Sequence, residues 1–253
     1  MMKVFICKYW KTLLFFCIIG LAGGFFTGIY LLDSYPADIQ QQIYAQGIND
    51  ILLGVITAAQ SAGYGIILGA AGIFFGKKVG LWKEERTILP KPLGITVVIA
   101  ILGGMALILS DILFFGKYSQ VIMDSYAVKP TVPYMLASVL YGGVIEEVML
   151  RLFMMSLIAW LLHLLFWRKQ ETTPAVALIL ANVIAAILFA AGHLPTTAML
   201  MGITPMILFR CFLLNGGFGL LFGWLYRKYG LRYAMLAHGG CHIVSKLIWI
   251  LFV

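Results

Sequence analysis

Apolar residues along this chain come in long blocks rather than in the alternation of a half-buried sheet. Runs near 12–32, 50–76, 93–115, 174–192, 205–226 and 231–253 are broken only by short polar stretches. Each is close to or above the roughly 20 residues a helix needs to cross a hydrocarbon core. The stretch 131–167 is different, because its 37 residues would make a helix ~55 Å long, more than one straight crossing. A break at Gly142-Gly143 would leave a short helix and a second one opening on Glu146 and Glu147. The pattern predicts an all-α, polytopic membrane protein with about eight transmembrane or membrane-embedded helices. Residues 1–130 hold three spans and their loops and residues 131–253 the rest, as one integrated membrane domain without repeats or a soluble module.

Composition agrees. Hydrophobic residues make up 62% of the chain and charged ones 11%, against about 25% charged in soluble domains. No soluble core could hide that much apolar surface. The net charge of +8 would suggest a nucleic-acid partner in a soluble protein. Here the basic residues gather in short loops, as on the cytoplasmic side of membrane proteins, and nucleic acid is not expected. Lys3, Lys8 and Lys11 precede the first run; Lys77, Lys78, Lys83, Arg86 and Lys91 follow the second; the loop 33–49 between them has neither Lys nor Arg. The N-terminus is therefore expected in the cytoplasm, the first run as a retained anchor, and the protein in the plasma membrane. If 131–167 nets one crossing, Arg168, Lys169, Arg227, Lys228 and Arg232 are cytoplasmic too. Two crossings would put those five outside. Cys7, Cys17, Cys211 and Cys241 are scattered and form no metal or disulfide pattern.

Ionisable side chains inside spans are costly and face a bundle interior or a watery cavity. Here they are Glu146, Glu147, Arg151, His163, His193, Arg210, His238, His242 and Lys246, with Asp111 and Asn215 as lesser cases. Glu147 and Arg151 are four residues apart, the spacing of an intrahelical ion pair. Glu146 has no such partner, and burying a lone carboxylate is expensive, so function is favoured for it. His193 ends an apolar helix that Pro195 closes. His238 and His242 are also four apart and share a helical face; this is a spacing for two metal ligands, without the glutamate of a metalloprotease helix. Arg210 and Lys246 are long enough to snorkel, and Arg210 could instead neutralise a glutamate. His163 reads as interfacial and Cys241 as packing. Together, a glutamate, one histidine from a second helix and two from a third supply a base and proton donors for water attack on an amide.

Three stretches resemble the motifs of the type II CAAX prenyl protease family, the CAAX protease and bacteriocin-processing intramembrane proteases. Glu146-Glu147-x-x-x-Arg151 looks like its EExxxR motif, Phe189-x-x-x-His193 its FxxxH, and His238-x-x-x-His242 its third motif, where the family usually has Asn or Asp second. Leu150 and Leu152 also replace the usual aromatic and glycine around the arginine. The resemblance covers roughly 131–246. It implies a catalytic set of Glu146, His193, His238 and His242, with Glu146 activating water, His193 positioning it, and His238 and His242 stabilising the oxyanion. Glu147 and Arg151 would support that geometry. Asn and neutral His both donate an N–H, so the oxyanion role can survive the exchange at 242.

A metal-free, glutamate-dependent reaction is the expectation, with no cofactor. Were zinc present, His193, His238 and His242 would be its ligands and Glu146 the base, since four ligands would close the site. The expected partners are membrane lipids and a hydrophobic or lipid-associated peptide or protein substrate. Two other classes compete: an inactive membrane scaffold, immunity or peptide-export factor using the same cavity, and a transporter. The transporter ranks last because no inverted repeat is visible.

Overall fold

The computed structural model describes residues 2–84 and 87–253, and only the backbone of Met2, Lys3 and Ile6. Arg86 and the Lys3 side chain, both counted among the basic loops, lie outside the described residues. The described residues are helical, with no strand. Seven helices are long and apolar enough to cross a membrane: α1 (Cys7–Ser34), α2 (Asp50–Lys78), α3 (Pro90–Lys117), α4 (Val132–Phe166), α5 (Ala175–Met201), α6 (Pro205–Tyr229) and α7 (Leu231–Phe252). The protein is an integral, multi-pass membrane protein of all-α architecture. Helices are the natural outcome, because hydrocarbon offers backbone N–H and C=O groups no other partners. Large apolar side chains such as Ile67, Leu102, Leu165 and Leu251 remain exposed, as a lipid-facing surface requires.

The expected break in the fourth segment is absent. α4 runs on through Gly142 and Gly143, with π-helical turns over Ser138–Glu146 and Val148–Met155. These turns hold more residues per unit of rise, which moderates the excess length. The glycines serve contact rather than flexibility: a Cβ on Gly143 would sit 2.8 Å from Gly239 Cα and 3.0 Å from its N. Backbones of α4 and α7 therefore touch at this crossing. Small residues do the same between α1 and α2, where a Cβ on Gly20 would lie 2.7 Å from Ser61 O, and Thr57 Oγ1 donates to Gly24 O at 2.7 Å. Membrane helices associate by such close approach because lipid tails give no hydrophobic drive.

Because α4 crosses once, the basic loops share one face. Lys8 meets Glu84 at 3.1 Å, and a Cβ on Gly230 would be 3.1 Å from Lys83 Cγ. The N-terminal end of α1, the loop after α2 and the turn between α6 and α7 thus lie together. Packed above them is the main apolar core, including Ile73, Val148, Leu152, Phe222 and Ala234.

Candidate active site

The crossing at Gly143 and Gly239 decides which polar residues meet. One turn along α4 from the contact stand Glu146 and Glu147; on α7, His238 and His242 flank Gly239. Gly142 faces the same way, and a Cβ there would be 3.1 Å from His242 Nε2 and 3.9 Å from Glu146 Oε2. π turns inside membrane or soluble helices are frequent at functional sites, and both glutamates sit at the junction of the two in α4.

The inner layer is buried. Glu147 is fully buried, with Oε1 2.9 Å from His238 Nδ1 and 3.3 Å from Arg151 Nη1. The spacing of the expected intrahelical pair is thus realised, and the histidine joins it. Arg151 sits against aromatic faces, its guanidinium carbon 4.6 Å from the Phe189 centroid and 5.6 Å from that of Phe222. Phe222 in turn stacks on His238 at 4.7 Å and 23°. Four helices therefore lock one imidazole in place: α4 through Glu147, α5 through Phe189, α6 through Phe222, and α7 itself.

The outer layer is open to the cavity. Glu146 keeps 19% of its side-chain surface exposed and His193 34%. Glu146 Oε1 lies 4.0 Å from His193 Nε2, and Oε2 3.9 Å from His238 Nε2. These gaps are too long for direct hydrogen bonds and are the size one water spans at a bent angle. His193 Nδ1 is 2.8 Å from Phe189 O. A carbonyl only accepts, so Nδ1 carries hydrogen and the Nε2 lone pair of the neutral ring faces Glu146. The His242 ring lies 5.0 Å from that of His238, tilted by 32°. All four line one cavity of about 810 Å³. Its wall also includes Thr27, Asp111, Tyr126, Tyr134, Arg210 and Trp249, which belong to the helix ends and loop away from the basic face.

Two expectations need correction. Arg210 neither snorkels nor meets a glutamate: Nε and Nη2 grip Asp111 at 2.6 and 2.5 Å, and Tyr126 donates to the same carboxylate at 2.8 Å. Lys246 does not snorkel either; it is buried, with its ammonium 4.3 Å from the Tyr134 ring centroid. Asp111 and Arg210 carry opposite charges in α3 and α6, but opposite sign alone does not single out a partner. Cys241 is packed, donating to Ile99 O at 3.6 Å.

Among the described residues no three His, Cys, Asp or Glu side chains are arranged to hold one metal ion. His238 Nδ1 pairs with Glu147 and His193 Nδ1 with a carbonyl, which leaves the Nε2 atom of each ring turned toward Glu146.

Residues 128–244 match the family model described as type II CAAX prenyl endopeptidase Rce1-like. The matched segment contains every glutamate, histidine and arginine of the two layers. That segment is similar to the type II CAAX endopeptidase family, and the similarity, together with seven membrane-crossing helices, supports a protease embedded in the membrane that acts on protein. Comparisons with curated proteins and with solved structures each found no match.

Proposed function

We propose that the protein is an intramembrane endopeptidase that hydrolyses a peptide bond in a hydrophobic or membrane-associated substrate, with Glu146 as general base. The observation that supports this most is the Glu146 carboxylate standing between the Nε2 atoms of His193 and His238 in an open cavity. A water bridging Glu146 Oε1 and His193 Nε2 gives one hydrogen to each acceptor and turns a lone pair outward. Glu146 takes its proton as the oxygen adds to the scissile carbonyl carbon. The negative charge that develops on the carbonyl oxygen is met by N–H groups of His242 and, when its ring carries both protons, of His238 Nε2. The C–N bond then breaks as the amide nitrogen receives the proton held by Glu146. Glu147 and Arg151 touch no reacting atom in this scheme and position His238.

The positive-inside bias favours the cytoplasmic side for the basic face, and with it a cytoplasmic N-terminus in a protein of the plasma membrane. The cavity wall belongs to the opposite half of the bundle, so the scissile bond would be reached from the extracytoplasmic half of the membrane. A cysteine-free chain carrying one cysteine at Val128 or at Lys169 tests this: membrane-impermeant maleimide should label only the first in intact cells.

The decisive experiment for the chemistry is Glu146→Gln. Loss of general base catalysis costs about 10²–10⁴-fold, so cleavage should vanish while insertion and folding persist. Unchanged biological output from both Glu146→Gln and His193→Ala would instead support a scaffold using the same cavity.

A further inference from the structure

The stripe of α7 that presents His238 and His242 carries a third polar side chain. Lys246 follows His242 by four residues, one turn or ~6 Å along the axis. It is 4% exposed, yet it lines the cavity. Its ammonium lies over the Tyr134 ring at 4.3 Å, and among the described residues no carboxylate makes an ion pair with it. The acids in the same wall are committed elsewhere. Asp111 has both oxygens on Arg210 and also accepts from Tyr126, while Glu146 stands between two imidazoles. Burying an ammonium without a counter-ion is costly, and one aromatic face offsets only part of that. The remaining side of the group is the cavity in which the substrate has to lie.

We propose that Lys246 is a specificity-determining residue of this site: its ammonium binds a carboxylate of the peptide substrate close to the bond presented to Glu146. One helical turn corresponds to about two residues of extended chain, so that carboxylate lies about two residues from the scissile bond. It is either the α-carboxylate of a nearby C-terminus or an Asp or Glu side chain. The inference rests on the protease reading for its location, but a binding measurement tests it without turnover.

Three fluorescent probes decide between the sources: dansyl-Leu-Leu-Leu with a free carboxylate, its C-terminal amide, and the amide of dansyl-Leu-Asp-Leu. Their affinities are measured by fluorescence anisotropy on the full chain carrying Glu146→Gln in an uncharged detergent. One acid should bind roughly 10-fold or more tighter than the neutral amide, as expected for a hydrogen bond to a charged group. A preference for the free acid identifies the α-carboxylate, and one for the Asp probe the side chain. Adding Lys246→Met should erase the preference and Lys246→Arg should keep it, with helix content and size-exclusion profile checking the fold. Equal affinity for all three probes, no binding of any, or a preference that survives Lys246→Met overturns the proposal. Loss of the protease reading alone, with wild type failing to cleave any peptide, would leave these affinities unaffected.

Discussion

His238 Nδ1 and Glu147 Oε1 lie 2.9 Å apart, joining α7 to α4 and leaving the other imidazole nitrogen turned toward Glu146. A carboxylate behind a functional histidine fixes the tautomer and orientation of the ring. Glu147 does this while also compensating Arg151, whose charge is otherwise surrounded by Phe189 and Phe222.

Removing one member of this pair should be worse than removing both. Glu147→Ala or Arg151→Ala leaves an uncompensated buried charge, a loss of about 3–5 kcal/mol. The double variant Glu147→Leu/Arg151→Met should recover much of that stability but not the activity, because His238 loses its orienting carboxylate. Unfolding in detergent and kcat on the same samples separate the two effects. Additive single-variant losses would show that the pair is not coupled.

The α4–α7 crossing predicts an asymmetry between two glycines in contact. A Cβ on Gly143 would meet the Gly239 backbone at 2.8 Å, whereas a Cβ on Gly239 has nothing nearer than Val139 at 3.7 Å. Gly143→Ala should therefore destabilise by about 1–3 kcal/mol, as overpacking does. It should also lower activity by separating Glu146 from the histidines. Gly239→Ala should be neutral or stabilising, since alanine is the better helix former by about 0.5–1 kcal/mol. Thermal unfolding of the two purified variants checks the sign of each.

Much of this site is legible in the sequence, for a reason that belongs to membranes. Glu146, Glu147, Arg151, His193, His238 and His242 cannot face lipid cheaply, so a shared interior is the economical arrangement: Glu146 and the three histidines line the cavity, and Glu147 and Arg151 are buried behind it. The pairing of Asp111 with Arg210 is not legible, because 99 residues separate them and no periodicity links helices that meet only in the bundle. Nor is the continuity of α4. A glycine pair reads equally as a break or as a contact, and the choice depends on whether another backbone lies opposite, which here is Gly239. The burial of Lys246 is hidden for the same reason: snorkelling depends on a free path to the interface, and Tyr134 occupies the space beside its ammonium.

His242 is a departure from the Asn or Asp usual in the resembled motif, and the geometry says how it should behave. Its ring faces Gly142 and lies beside His238, where a single N–H suffices for an oxyanion. His242→Asn keeps a donor and should retain activity within about tenfold. His242→Ala removes it and should cost about 10²–10³ in kcat. The comparison is read in the cleavage assay at saturating substrate; equal losses for both variants would remove His242 from the oxyanion role.

At the basic face, Glu84 should make stability depend on acid pH. Partial burial opposes ionisation of its carboxyl, but hydrogen bonds from Tyr9 at 2.5 Å and Lys8 at 3.1 Å outweigh it and hold the pKa below its ordinary 4.5. A folded-state value below the unfolded one means stabilisation that is present above the unfolded pKa and lost as pH falls through the folded value. Because half of the side chain remains exposed, solvent screening keeps the effect small. Unfolding midpoints from about pH 7 to about pH 3 should fall more for wild type than for Glu84→Gln, the difference opening as the pH drops below the ordinary value of 4.5. Parallel curves would mean that the contact tying α1 to the loop after α2 does not persist in solution. The basic face would then be held by the core of Ile73, Val148 and Leu152 rather than by its charges.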